Sequence, residues 1–427
     1  MNKPRFVISC PFDTYSGYGA RSRDIVKAII ELDQYKVELL PQKWGSTTWG
    51  FCKDNPEWGF LMNYLANQDW QKSQPEIWMQ ITIPNEFQPI GKYNIGCTAG
   101  IESTAAKPEW IEGLNRMNQN WVSSKHSKKV FEDMVYEKKN EKTGQLVGKV
   151  QNIKPLHVVF EGVDLNIYKA LKETKNFDLS NIKESFCYLF VGHWMQGDVG
   201  HDRKNVGLLV KSFFETFKNK KQKPALILKS SIGVDSYISR DEILDRILRI
   251  RKSVNSKDLP NIYLLTGEFS NKDMNDLYNH SKVKSMVSLT KGEGFGRPLL
   301  EFSLTGKPII ATGWSGHIDF LNKNFTTLLP GELENVHPQV ANQWLIKESQ
   351  WFKVSTPHVG QSFTDMFKNY KKYKLKAKQQ SKYASSNFSF EKMKQLINNI
   401  LENNIPEFPQ QLDLNIPNLN LPQLEKI

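Results

Sequence analysis

Glu293 and Glu301 stand eight residues apart in the stretch Thr290 to Gly313, TKGEGFGRPLLEFSLTGKPIIATG. Between them Gly294 and Gly296 give a tight loop, with Gly292 just before, and glycine reaches backbone angles closed to other residues. Amides of Gly294, Phe295 and Gly296 that collect at the start of a helix suit a phosphate, because their N–H groups lack partners and the helix dipole is positive there. Acids framing such a site are out of place for phosphate alone. A carboxylate can accept two hydroxyls at once, so the ligand should carry hydroxyls as well as phosphate. A nucleotide sugar carries both. Taken singly, Glu293 reads as a helix cap and Glu301 as a solvent-facing residue. The loop, the proline at 298 and the spacing together favour a ligand site.

The elements that must position these residues can be read on either side. Val283 to Leu289 is a short buried strand bounded by polar residues. Pro298 suits the first turn of a helix, Leu299, Leu300 and Leu304 give that helix an apolar face, and Gly306 fits a left-handed stop. Ile309 to Thr312 is the next strand. The unit is therefore strand, glycine loop, helix, strand.

The stretch Glu293-GFGRPLL-Glu301 resembles the Glu-x7-Glu signature of the family-four retaining glycosyltransferases, a resemblance spread over residues 5 to 400 and strongest from 186 to 320. It implies an α/β chain with the GT-B fold, in which two doubly wound parallel-sheet (Rossmann-like) domains face a cleft. It also implies that Glu301 binds the nucleotide ribose, that the 294–296 amides bind the diphosphate, and that Glu293 lies near the donor sugar. Arg203-Lys204 stands where the family has its diphosphate clamp, with Asn205 in place of the usual glycine and His193 where an arginine is common. Gly17 and Gly19 stand where the family carries a glycine loop facing the phosphates across the cleft; by itself such a pair more often marks a tight turn. Glu102, after a strand in the region that borders the acceptor, is the candidate acceptor-facing acid. The implied activity is a retaining, metal-independent hexosyl or pentosyl transfer. No cofactor is expected beyond the nucleoside-diphosphate sugar donor, and no Asp-x-Asp metal motif occurs.

The remaining residues read consistently with two domains. A chain of 427 residues exceeds one ordinary core. Alternating strands and helices run through both halves, which implies parallel sheets. We place an acceptor-side domain at 1–170, a hinge in 170–184, and a nucleotide-sugar domain at 185–380. A helix at 381–404 crosses back, followed by a tail at 405–427. Four scattered cysteines argue against a disulfide or metal framework, and no apolar run suits a membrane span or signal peptide, so the expected location is cytoplasmic. The strand–turn–helix at the start places its helix from about Ala20 to Leu32, and residues 138–154 read as a surface excursion. The long loop from Gly192 to Lys204 reads as a flexible lid.

Three features leave the acceptor open. Trp44, Trp49, Trp58, Trp70 and Trp78 fall within 35 residues and serve either core packing or an acceptor cleft, with packing slightly ahead. Lys368 to Lys382 holds seven lysines, with Tyr370 and Tyr373 among them and no acid from 366 to 390. That run is either a solvated helix face or a surface for DNA or another anionic polymer, and the net charge of +12 favours anionic partners. Glycans or lipid-linked sugars are the default hydroxyl acceptors, hydroxylated bases of DNA the alternative. A non-catalytic nucleotide-sugar-binding protein is the reading from another class.

Overall fold

The structure, a computed structural model, describes residues 3–140, 142–174, 177–233 and 236–408. Most of the expected tail, 409–427, and two residues of the expected hinge lie outside them. The first half contains β1 (Arg5–Cys10), α1 (Gly17–Leu32), β2 (Lys36–Pro41), the short α2 (Phe51–Asp54), β3 (Ile77–Ile81), β4 (Tyr93–Cys97), α3 (Pro108–Arg116), β5 (Gln119–Val122), α4 (Lys125–Asp133), the hairpin β6 (Val135–Lys139) and β7 (Leu146–Gln151), and β8 (Leu156–Val158). Its main sheet has the order β2-β1-β3-β4-β5-β8, with every pairing parallel.

The second half contains β9 (Cys187–Val191), α5 (Val206–Phe217), β10 (Ala225–Lys229), α6 (Tyr237–Ser253), β11 (Ile262–Leu265), α7 (Asn271–Asn279), β12 (Val283–Ser288), α8 (Arg297–Ser303), β13 (Ile309–Thr312) and β14 (Thr327–Leu329). An antiparallel pair, β15 (Gly331–Asn335) and β16 (Gln350–Val354), follows, then α9 (Thr356–Lys368), α10 (Tyr370–Asn387) and α11 (Phe390–Asn404). The second main sheet runs β11-β10-β9-β12-β13-β14, again all parallel.

The strand sequences explain the layering. A parallel sheet covered by helices must be apolar on both faces. In β1, Phe6, Ile8 and Cys10 enter the core beneath α1, while Val7 enters the core beneath α3 and α4. In β9, Tyr188 and Phe190 face α5 and α9, while Cys187 and Leu189 face α7 and α8. These alternations place helices on both sides of each sheet.

Several local expectations need correction. The surface excursion expected at 138–154 takes the form of the exposed β6–β7 hairpin, which begins earlier, at Val135. Tyr370 and Tyr373 do not interleave with lysines at the surface: Tyr370 packs edge-on against Phe186 at 5.5 Å, and the Tyr373 hydroxyl donates to Asp365. The loop from Gly192 to Lys204 is fastened rather than loose, since Trp194 N donates to Ser231 O (2.9 Å) and the Gln339 amide donates to Asp198 (2.8 Å). Among the described residues no helix is long and apolar enough to cross a membrane.

The chain crosses between its halves twice, and the crossings lie side by side. Val163 N donates to Phe388 O and Phe390 N to Val163 O, both at 2.9 Å. Helix α11 then lays Phe390, Met393, Ile397, Ile400 and Leu401 into the core shared by β1 and α1. Replacing the fully buried Leu401 by Ala should cost about 2–5 kcal/mol, the range for a truncated core leucine. Denaturant melts followed by tryptophan fluorescence check this, and the loss should appear in the first half although residue 401 follows the second.

Candidate active site

In the second sheet the strand order reverses between β9 and β12, the place where loops diverge to opposite faces and leave a crevice. Both sequence-predicted cation and carboxylate stretches leave the carboxyl ends of these two neighbours. Lys291 N donates to Arg203 O (2.8 Å) and ties the loops together. Asn205, the departure from the family pattern, has φ 57°. Asparagine is among the few residues other than glycine that tolerate this left-handed region, which accounts for the exchange. Asp202 accepts from Val206 N (3.1 Å) at the start of α5, and burial pushes its carboxyl up to about 6 despite those backbone donors.

Four charged groups meet at the crevice. Lys204 Nζ lies 2.6 and 2.8 Å from the two oxygens of Glu293. Arg203 Nη1 donates to Gly292 O at 3.0 Å and stands 3.4 Å from Glu102 and 3.8 Å from Glu293. Two cations just before a helix start oppose its dipole, and the carboxylate of Glu293 balances them. Burial alone would raise the Glu293 pKa, but Lys204 and Arg203 outweigh it and hold it at about 2.

The two halves touch here through backbone. A Cβ on Gly292 would lie 1.7 Å from Glu102 O, and one on Gly294 2.3 Å from Ala99 O. Of the three loop glycines only Gly296 has a left-handed φ, at 97°; the other two are required by close approach rather than by backbone angle. Ser123 Oγ donates to Gly294 O (3.0 Å), Lys125 N to Asp319 (2.8 Å), and Gln350 N to Thr104 Oγ1 (2.8 Å), so several cross-cleft bonds surround the contact. Among the described residues the amides of Gly294, Phe295 and Gly296 have no backbone or side-chain acceptor.

Glu301 sits in a neighbouring cluster that sequence reasoning did not find. Arg297 Nε lies 3.0 Å from Glu301, and Arg297 Nη1 lies 2.5 Å from Asp24 and 3.7 Å from Glu161. The Tyr278 hydroxyl is 3.3 Å from the second oxygen of Glu301. Burial raises the Glu301 carboxyl, opposed by Arg297. Arg21, 1 % exposed, lies close to the Glu161 carboxylate and the Cys97 thiol, and its charge opposes the rise that burial gives both. The four-residue spacing of Arg297 and Glu301 on one helix was the available signal.

Gly17 and Gly19 open α1, where Ser16 Oγ accepts from Gly19 N (2.9 Å), and the missing Cβ of Gly19 lets Thr14 O approach. His193 stands at the end of β9 with Nδ1 2.8 Å from Ser231 Oγ. Trp78 is core, stacked on Trp70 at 5.7 Å. Trp44 instead stacks at 3.8 Å on Tyr18, whose hydroxyl meets Thr98 and Ala99 N beside the Glu102 loop. Among the described residues no three His, Cys, Asp or Glu side chains come together as metal ligands.

The charge pairing sets a pH dependence. Glu293 stays ionised in the fold down to about 2, against an ordinary 4.5, so its contribution is present above pH 4.5 and lost as the pH falls towards 2. Glu293→Gln should destabilise at neutral pH by about 3–5 kcal/mol, because it strands the Lys204 charge. The wild-type-minus-variant difference in unfolding free energy should shrink between pH 4.5 and 2. Urea melts across that range measure it; a constant difference would contradict the pairing.

No family profile matches the chain, and no curated protein sequence matches it. Solved structures do. The Anabaena protein HepE in complex with UDP-glucose is 14% identical, with a TM-score of 0.57 over 94% of this chain and 100% of that one. A glycosyltransferase from Rickettsia africae is 13% identical, with a TM-score of 0.59 over 94% of this chain and 99% of that one. Sucrose-phosphate synthase from Thermosynechococcus elongatus is 11% identical, with a TM-score of 0.61 over the same shares. At such identities the likeness concerns architecture, and with the two parallel six-stranded sheets it shows that this chain has the GT-B fold.

Proposed function

We propose that this chain is a retaining glycosyltransferase that moves a sugar from a nucleoside-diphosphate sugar to a hydroxyl acceptor. The observation that carries the reading is the cluster of Arg203, Lys204, Glu293 and Glu102 at the switch point of the second sheet. Cations placed there, with free amides alongside, suit a diphosphate. The HepE structure holds UDP-glucose, which makes that compound the first donor to test.

A diphosphate carries more charge than one carboxylate and would compete with Glu293 for Lys204 and Arg203. Displaced from Lys204, Glu293 would turn to the hydroxyls of the donor sugar. Charge that builds on the leaving diphosphate would then meet Arg203, Lys204 and the 294–296 amides, fixed in advance and without a bound metal ion. Glu301 would accept ribose hydroxyls while Arg297 holds its carboxylate in place. Glu102, 3.4 Å from Arg203 and carried by the first half, would face the acceptor. The Tyr18–Trp44 stack beside it offers a flat surface for an acceptor ring.

A donor at a hundred times its Kd should add about 2.7 kcal/mol of stability. UDP-glucose should raise the melting temperature and be turned over slowly even without acceptor. Binding without any release of UDP would instead favour the non-catalytic reading. Glu301→Gln should raise KM for the donor and largely spare kcat, because ribose contacts do not change along the reaction. Glu293→Gln should lower kcat more than it raises KM, with either loss reaching about 2–3 kcal/mol. Both variants are compared after their folded fraction is measured. Wild-type kinetics in both would overturn the site assignment.

A further inference from the structure

Helix α10 exposes Lys371, Lys372, Lys374, Lys376, Lys378 and Lys382, with Lys368 exposed at the end of α9. No acidic residue occurs between Asp365 and Glu391 to offset them. Two other elements bring lysines towards the same face: Lys284 is the second residue of β12, and Lys307 precedes β13 next to Gly306, where an added Cβ would lie 3.7 Å from Lys378 Cγ of α10. Burial lowers the pKa of both, and the nearby Lys374 ammonium lowers each further; Lys307 is brought to about 7. Lys307 Nζ donates to Tyr278 O (2.7 Å) and His280 O (2.8 Å), so backbone dipoles, not carboxylates, hold it. Like charges gathered from three elements repel unless an anion joins them.

The patch is far from the crevice. Lys284 and Lys307 stand at the amino ends of their strands, whereas the 289–296 loop leaves the carboxyl end of β12. Six residues of strand separate the two edges by roughly 20 Å. Lys371, Lys374, Lys378 and Lys382 follow one side of the helix over roughly 16 Å, at 1.5 Å per residue.

We propose that this lysine face docks duplex nucleic acid through its phosphates, independently of base sequence. Duplex DNA presents one negative charge per roughly 1.7 Å of axis, dense enough to meet the whole row. Lysine is a point charge without the planar fork that reads base edges, and α10 carries no arginine, so contacts here position rather than specify. A bilayer fits less well. A helix lying in a membrane interface inserts an apolar face. That of α10 is already spent: Ala377 and Ala384 are buried, and Gln380 donates to Phe320 O (2.7 Å). Leu375 is the one large apolar residue exposed on α10 among the described residues. On the proposed glycosyl transfer, docking would keep the crevice near hydroxyl acceptors on the same polymer. The docking itself does not rest on that reading.

The test uses the full chain and a fluorescein-labelled 30-base-pair duplex of arbitrary sequence, followed by anisotropy. Four to six phosphate contacts at about 0.9 log unit each should weaken binding about 10²–10³-fold between 50 and 200 mM salt. Replacing Lys371, Lys374, Lys378 and Lys382 together by Gln should flatten the log–log slope by about three to four units. The same variant should keep the wild-type melting shift with UDP-glucose, because none of the four residues belongs to the crevice. No binding at 50 mM salt, a salt-independent Kd, or a wild-type slope in the variant would overturn the proposal. So would binding to phosphatidylserine vesicles with none to the duplex. A failure of UDP-glucose to bind would count against the proposed transfer and leave the duplex result standing.

Discussion

Lys204 and Glu293 come from loops 89 positions apart and meet at 2.6 Å with both side chains largely buried. Taking either charge out of solvent alone would cost several kcal/mol, so neither loop can settle without the other. Their meeting requires β9 and β12 to be neighbours, which the parallel order of the second sheet provides. It also requires the Arg203 carbonyl to reach the Lys291 amide and the Gly292 backbone to lie flat against the first half. The ion pair thus fixes the register of two loops and, through Glu102, the seat of the opposite domain. Such pairs give little net stability against an apolar alternative, but they are intolerant of misalignment.

A second set of charges repeats this logic nearer the two crossings of the chain. Arg297 reaches Asp24 on α1, Glu161 in the segment that follows β8 and Glu301 on its own helix. One guanidinium therefore connects both halves with the chain segment between them. Arginine suits that position, since it stays charged under nearly all conditions and presents several donors in fixed directions. Any rotation of one half relative to the other must break or exchange these bonds together with the Ser123 and Lys125 bonds across the cleft. Opening is then a cooperative step rather than a gradual one.

Much of this was legible in the sequence, for specific reasons. The strand–loop–helix–strand unit around Glu293 carries short apolar runs, a proline in the first helical turn and Gly306 at φ 66°, all local signals. The lysine run was equally plain. What could not be read were relations between distant residues. Gly292 and Gly294 look like flexible loop glycines, and only the placement of Glu102 O and Ala99 O shows that space, not angle, excludes a side chain. Gly17 and Gly19 read alike in sequence whether they open a capped helix or face a phosphate, because a helix start serves both with small residues and free amides. Asp24 and Glu161 carry no local mark, since an acid on a helix or after a strand is ordinarily solvent-facing. Tyr370 and Tyr373 read as surface residues because the partners that bury one side of α10 come from elsewhere.

The return of α11 to the first half has a consequence for the order in which the protein is made. The core around β1 and α1 is incomplete until Phe390 to Leu401 leave the ribosome, yet everything from β9 to α10 emerges before them. At 5–20 residues per second, the roughly 230 residues between the two crossings take about 10–50 s to synthesise. During that interval Phe6, Ile25, Ile29 and their neighbours lack their final cover, while the second half already has all of its strands. The later-made domain is therefore the one able to fold first. The earlier-made one stays exposed to chaperones, or to a second nascent chain, until the last helix arrives.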